Sequence, residues 1–165
     1  MELRPAGHGD LATVESLTQD PETAGEFAWY GWSSRHLAKK WDEDRLLSDA
    51  GGTLMVVCGE QTLGFVNWRR HQATAAGYYW EIGIALLPGA RGRGYGTAAQ
   101  RLLARYLFAH TTAHRIEAST EVDNIAEQKA LEKAGFSREG VQRGIGWRDG
   151  AWRDGVTYSV LRTDR

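Results

Sequence analysis

Three apolar runs in the first half of the chain have the spacing of strands. They cover residues 53–58, 63–68 and 78–87, and a Gly-Glu-Gln turn separates the first two. Short apolar runs that are bounded by turn residues are typical of strands, and two such runs around a tight turn predict a hairpin. We therefore expect a hairpin followed by a third strand.

The apolar pattern changes to helical spacing after residue 94. From residue 95 to 110 the apolar side chains recur every three or four positions, at Ala99, Leu102, Leu103, Tyr106 and Leu107, which predicts an amphipathic helix. Residues 115–120 then have the character of a short strand. A second helix is bounded by Asn124, a good N-cap, and by Gly135, a good helix stop.

The two ends of the chain complete the pattern. A strand at Leu3 precedes a helix over 10–17, and a further helix is expected from Ser33, with Leu37, Trp41 and Leu47 facing inward. Residues 137–143 and 147–162 flank an Asp-Gly turn and predict a closing hairpin. The order β-α-α-β-β-β-α-β-α-β-β predicts an α/β protein of mixed α+β character, with a twisted mixed sheet of six to seven strands and helices on both faces.

Composition narrows the class of protein. The length of 165 residues predicts one domain over 1–165, and a net charge of −1 argues against a nucleic-acid partner. We find neither a secretory leader nor an apolar run of membrane-spanning length, so we expect no membrane partner and take the cytoplasm as the default compartment. The single Cys58 excludes an internal disulfide.

A glycine-rich turn between the third strand and the long helix is the main candidate for chemistry. Its sequence is Arg-Gly-Arg-Gly-Tyr-Gly-Thr over 91–97. Glycines allow a close backbone approach and positive φ, and the first amides of a helix point outward at the positive end of its dipole. Such a turn binds phosphate groups.

The spacing of this turn distinguishes among phosphate motifs. No Lys follows the glycines, as the Walker motif requires, and the dinucleotide fingerprint is not met. The pattern Arg-x-x-Gly-x-Gly, from Arg91 to Gly96, resembles the pyrophosphate loop of the Gcn5-related N-acetyltransferases, the GNAT family. Downstream, Asn124 and a helix that ends in Lys133-x-Gly135-Phe136 resemble the second motif of that family. The closing hairpin resembles the ribosomal-protein-alanine (Rim-type) branch.

The resemblance implies a GNAT fold, in which CoA lies in the splay between two central strands. It implies an acetyl-CoA-dependent N-acetyltransferase that moves an acetyl group to a primary amine by direct attack, with no metal. Backbone groups that pair with the pantetheine arm are implied at Ile84, Ala85 and Leu86. The diphosphate is implied at Arg91, Gly92, Arg93, Gly94, Tyr95, Gly96 and Thr97. Asn124 and Lys129 are implied as further CoA contacts.

At the catalytic positions this chain departs from the family pattern. Glu81, on the strand that leads to the loop, is a candidate general base, and the alternative is a sheet-edge carboxylate paired with an Arg. Leu131 stands at the position where many GNATs have a Tyr that protonates the leaving thiolate. Glu127 stands where the Rim-type branch often has Ser. Glu127 either points to solvent or is a second candidate base. The resemblance implies that Asn124 contacts the pantetheine or the acetyl end.

The acceptor side is predicted from aromatic residues, of which Trp is unusually frequent. One interpretation is core packing, and the other is an aromatic wall for the acceptor, with a carboxylate that attracts an ammonium. The residues concerned are Glu26, Trp29, Trp32, Trp68 and Trp80. The acceptor is a small-molecule amine or a peptide N-terminus, and homodimer formation is left open. The alternative function is a non-catalytic CoA-binding sensor or interaction module.

Overall fold

One mixed sheet of eight strands forms the centre of the chain. A computed structural model describes residues 1–32, 37–75 and 77–164. The strand order is β1-β3-β4-β5-β6-β8-β7, and β2 pairs with β3. The strands are β1 (Glu2–Pro5), β2 (Leu47–Ser48), β3 (Gly51–Cys58), β4 (Gln61–Gln72), β5 (Tyr78–Leu86), β6 (Arg115–Glu121), β7 (Ser137–Arg148) and β8 (Ala151–Leu161).

Helices cover both faces of this sheet. They are α1 (Leu11–Gln19), α2 (Pro21–Ala24), α3 (Leu37–Asp44), α4 (Tyr95–His110) and α5 (Ile125–Ala134). Successive residues of a strand point to opposite faces of the sheet. The apolar strand residues are therefore divided between two cores, one on each face. Leu103 and Leu107 of α4 and Leu131 of α5 pack in the larger core. Val14 and Leu17 of α1 pack in the smaller one. Burial of each such side chain stabilises the fold by about 1.5–3 kcal/mol.

The sheet opens in its middle, between β5 and β6. These strands are parallel, and their register contains only two pairs, Trp80 with Ile116 and Glu81 with Glu117. On its other side β5 stays paired with β4 as far as Leu86. Beyond Glu81, β5 therefore has a strand neighbour on one side only, and a gap opens towards the glycine-rich turn.

These observations confirm the fold class that the sequence predicts: a mixed sheet with helices on both faces and a splay between its central strands. The helix over 95–110 and the caps Asn124 and Gly135 occur at the expected residues. The helix expected from Ser33 begins in the structure at Leu37, and residues 33–36 lie outside the described residues. No helix within the described ranges has the length and hydropathy that a membrane crossing needs.

Candidate active site

The glycine-rich turn ends in an uncapped helix N-terminus. Gly94, the N-cap of α4, has φ of 80°, a left-handed conformation that favours glycine. No side chain caps this helix end, so the first-turn amides remain available to an anion, with the helix dipole behind them. A Cβ on Gly92 or Gly94 would meet no atom within 4 Å. Backbone at this turn therefore faces open space.

Arg91 holds the turn against the N-terminal half of the chain. Its Nε donates to Leu86 O at 2.9 Å, and its Nη2 donates to the carbonyls of Thr23 and Ala24. The last two carbonyls end α2 and have no partner inside that helix. Burial lowers the pKa of the Arg91 guanidinium. Arg91 thus fastens α2 to the turn, a contact that the sequence did not predict.

Arg93 is arranged differently from Arg91. It is exposed, and its guanidinium lies 5.3 Å from the centroid of the Tyr95 ring. Neither Arg93 nor Tyr95 lines the large cleft described next, whereas Arg91 and the three glycines do. The structure therefore separates two arginines that the motif places side by side.

A cleft of about 750 Å³ runs from the turn into the splay between β5 and β6. Segment 24–30, which we call the lid, forms one wall, and α4 and α5 form another. Ile84, Ala85 and Leu86 line it from β5, together with Gly96, Thr97, Asn124 and Lys129. This single cleft brings together most of the residues that the family resemblance assigns to CoA.

The start of α5 is fixed against β6 by Asn124. Its Oδ1 accepts a hydrogen bond from Glu127 N at 3.3 Å, and its Nδ2 donates to Thr120 Oγ1 at 2.9 Å. Lys129 and Lys133 line the same cleft one and two turns further along the helix. The cleft therefore has cationic side chains near the turn as well as amide donors, which suits an anionic ligand.

Glu127 lies inside the cleft instead of pointing to solvent. Its Oε1 accepts a hydrogen bond from Gln100 Nε2 of α4 at 2.7 Å. Burial raises the pKa of the carboxyl to about 7, although the Gln100 hydrogen bond acts in the opposite direction. At neutral pH a substantial fraction of Glu127 is therefore protonated.

A second cleft of about 470 Å³ lies beside the first, between α3 and strands β2 to β5. Ile82, Gly83 and Ser119 line both clefts. A Cβ on Gly83 would lie 2.5 Å from Asn67 Oδ1, so a side chain at this position would displace its neighbour. The two clefts meet at a floor that has no side chain at its centre.

Glu81 lines the second cleft and is bound to two partners. Arg69 Nε donates to its Oε2 at 2.7 Å, and His71 Nε2 lies 2.6 Å from the same oxygen. The carboxylate is largely buried, with 22% of the side chain exposed. This is the paired arrangement that we gave as the alternative to a free base, and it places Glu81 on the opposite side of the shared floor from Glu127.

The tryptophans are distributed more widely than an aromatic wall requires. Only Trp68 lines one of the two clefts. Trp80 is 4% exposed in the core and donates through Nε1 to Thr111 Oγ1. Trp32 is 81% exposed and packs edge-on against Trp29. Glu26 belongs to the lid and lines the first cleft, whereas we expected it on the acceptor side.

Two sets of contacts in the site were not predicted from the sequence. Gln100 has helical spacing but no motif, and only the packing of α4 on α5 reveals its contact with Glu127. The lid is supported by Arg148, which binds Glu121 through two bonds of 2.6 and 2.8 Å and lies over the Phe27 ring. Arg148 lies in the first of two Trp-Arg-Asp-Gly sequences, at 147–150 and 152–155, and neither indicates this contact.

Comparison with known proteins agrees with this geometry. A family model described as "Acetyltransferase (GNAT) domain" matches residues 1–137. The probable N-acetyltransferase YjcK of Bacillus subtilis (strain 168) is 37% identical over 83 residues, which are 50% of this chain and 46% of that protein. The chain thus spans about half the length of that curated relative.

Two solved structures show the same fold. Spermidine N-acetyltransferase from Vibrio cholerae, in complex with CoA and spermine, has a TM-score of 0.84 at 18% identity, over 99% of this chain and 96% of that one. Ribosomal-protein-S5-alanine acetyltransferase from Vibrio fischeri has a TM-score of 0.78 at 19% identity, over 98% and 93%. With the glycine turn, the splay and a family match over most of its length, this chain belongs to the GNAT acetyltransferase family.

Proposed function

We propose that this chain transfers an acetyl group from acetyl-CoA to a primary amine by direct attack. The observation that supports this most is the continuous first cleft, which joins an uncapped helix N-terminus to the open edge of β5. The helix N-terminus suits a diphosphate, and the open strand edge suits an extended arm that carries amide groups. Acetyl-CoA supplies an activated thioester.

The residues present fit CoA. Amides at the start of α4 would hold the diphosphate, with no Cβ in the way at Gly92 and Gly94. Lys129 and Lys133 would add positive charge, and the β5 backbone at Ile84, Ala85 and Leu86 would pair with the pantetheine arm. Asn124 would orient the acetyl end, since it already fixes the start of α5 beside β6.

The acceptor amine would enter through the second cleft. Its lining carries both signs of charge, with Lys40 and Arg69 opposed by Asp44 and Glu81. The floor at Gly83 and Ser119 would let the amine nitrogen approach the thioester from that side. Glu81 would accept the ammonium proton directly or through water, as a general base does. A small amine and a peptide N-terminus both remain acceptors of the right chemistry.

Calorimetry with CoA and a thiol-release assay with acetyl-CoA test this proposal together. The amine panel contains spermidine, an alanine-terminated peptide and n-butylamine. We expect CoA binding and thiol release with at least one amine, and weaker, less salt-dependent binding after Lys129→Ala and Lys133→Ala, because each change removes a charge whose attraction salt screens. Failure to bind CoA would overturn the proposal. Binding without thiol release across a broader panel would favour the non-catalytic alternative.

A further inference from the structure

We propose that Glu127 is the general acid of the transfer, the group that gives a proton to the departing sulfur of CoA. This inference rests on the proposed function and assigns a role that the family resemblance leaves without a residue. Leu131, at the position of the usual Tyr, is fully buried in the hydrophobic core and has no titratable group. Glu127 lies one helical turn before it, on the same face of α5.

The surroundings of Glu127 favour the protonated carboxyl group. Its only side-chain partner within the described residues is the neutral amide of Gln100. The charged or titratable groups that line the same cleft are Glu26 and Tyr30 from the lid, Arg91 from the turn, and Lys129 and Lys133 from α5. Within the described ranges, none of them forms an ion pair with Glu127, so no cation there stabilises its charged form.

Gln100 itself indicates a neutral partner. It is 1% exposed, and its Oε1 has no hydrogen-bond partner among the residues described. A buried acceptor without a partner is costly. A protonated Glu127 carries a hydroxyl that can donate to this oxygen while Gln100 Nε2 donates in return. Burial favours the acid and outweighs the hydrogen bond from Gln100 Nε2, which favours the carboxylate, so the pKa rises to about 7. Only the acid has a hydroxyl that can donate to Gln100 Oε1.

The positions of the two carboxylates divide their roles. Glu127 lines only the first of the two clefts, whereas Glu81 lines only the second and is bound to Arg69. In the proposed reaction the amine would arrive on the side of Glu81, and the sulfur of CoA would lie on the side of Glu127. Sites in which the environment separates two carboxyl groups in this way use one as base and the other as acid.

The proton inventory of the step balances. The amine nitrogen bonds to the acetyl carbon, and the carbon–sulfur bond breaks with its electron pair on sulfur. Glu127 donates its proton to that sulfur and becomes a carboxylate. The ammonium nitrogen loses two protons, one to Glu81 before the attack and one to water after it, and Glu127 takes one proton back from solvent. The products are the amide, the free thiol and one proton released to solvent.

Glu127→Gln is the decisive variant, because an amide keeps the shape of the neutral acid and both hydrogen bonds to Gln100. We expect its kcat with the fastest panel amine to fall about 100-fold at neutral pH, with CoA affinity unchanged. In the wild type, kcat should decline as the pH rises through about 7. That decline should be missing in the variant. Glu132→Gln, an exposed change on the same helix, should leave both kcat and the decline as they are.

Infrared difference spectroscopy gives a readout that needs no acceptor. In the wild type, one carbonyl stretch of a protonated carboxyl should disappear as the pH is raised through about 7. Glu132→Gln should show the same titrating band. Glu127→Gln should lack it. A wild type whose carboxyl bands all titrate near the ordinary value of 4.5, with none near 7, would overturn the inference. So would equal thiol release by wild type and Glu127→Gln. Absence of thiol release by the wild type would instead overturn the proposed function, and this inference with it.

Discussion

At the scale of single residues, the neighbours of each buried carboxyl group decide whether its pKa is raised or lowered. Glu121 is 6% exposed and has Arg148 as a bidentate partner, which lowers the pKa of its carboxyl. Glu127 is also shielded from solvent but has only an amide, and its pKa rises. Burial alone opposes ionisation, and a nearby cation reverses the effect.

The stability of the fold should depend on pH through Glu127. Between about pH 4.5 and about 7 the unfolded chain has lost this proton and the folded chain keeps it, so stability falls as the pH rises across that window. The full difference is roughly 3 kcal/mol. We expect Glu127→Gln to unfold at a higher temperature than the wild type at pH 8, with the two curves converging below pH 4.5. Parallel curves would contradict the raised pKa.

Gly83 is the residue at which size should matter most. Gly83→Val places methyl groups where the two clefts meet and displaces Asn67. We expect kcat to fall by at least tenfold, because the reacting groups would be misplaced. Calorimetry should show nearly unchanged CoA affinity, because the α4 amides and the two lysines that would hold the diphosphate are not altered. Equal losses of kcat and of CoA affinity would show that the two clefts do not meet as described.

At the scale of elements, the contacts between segments decide what the cleft looks like. Arg91 joins the turn to α2, and Arg148 joins the last hairpin to the lid through Glu121 and Phe27. Each contact links parts of the chain that are far apart in sequence. The lid therefore has two anchors, one on each side of the cleft.

Arg91→Ala and Arg93→Ala form a matched pair for the first anchor. Arg91→Ala removes the donors to Leu86, Thr23 and Ala24 and should cost about 1–2 kcal/mol of unfolding free energy. Hydrogen exchange in α2 and the lid should accelerate. Arg93→Ala, which removes an exposed side chain, should change neither. If both variants behave alike, the anchor is not needed.

The second anchor is a buried ion pair. Arg148→Met leaves Glu121 buried without its cation, and removal of one partner of such a pair typically costs about 3–5 kcal/mol. Chemical denaturation should show a loss of this size. Asp149→Asn serves as the control, because Asp149 is 65% exposed and asparagine tolerates its positive φ of 49°. A loss of less than about 1 kcal/mol in Arg148→Met would mean that the lid packs without the pair.

The elements that the sequence predicted well are those with local signals. Asn124 and Gly135 cap α5 through contacts within the helix itself, and Gly94 marks the start of α4 by its left-handed φ. The four-residue α2 and the two-residue β2 were missed, because both are too short to show a period. The pairing of Gln100 with Glu127 and the anchoring role of Arg91 arise only from packing between distant segments.

At the scale of the whole molecule, the two clefts are adjacent and share Ile82, Gly83 and Ser119. Beyond these shared residues, strand β5 lines both through different residues, whereas the lid, the turn and α5 line only the first and α3 lines only the second. Under the proposed function, the first cleft would hold acetyl-CoA while the second holds the amine. Cys58, at the end of β3, lines neither cleft and packs against the larger core, so no thiol of the chain is placed to carry the acetyl group.

Initial-rate kinetics should reflect this arrangement. Double-reciprocal plots of the initial rate against acetyl-CoA concentration, at several amine concentrations, should intersect. This is the pattern expected when the enzyme binds both substrates before reaction. Cys58→Ser should leave the plots unchanged. Parallel lines, the signature of a covalent acetyl-enzyme, would contradict direct attack.

The interruption of pairing between β5 and β6 has a consequence for handling the protein. Beyond Glu81, β5 is an edge strand in the middle of a sheet, and exposed strand edges recruit extended chains from other molecules into aggregates. A cofactor arm that lies along this edge would also act as a plug. Concentrated solutions should therefore precipitate more slowly on warming when CoA is added, by more than its effect on the melting temperature alone accounts for.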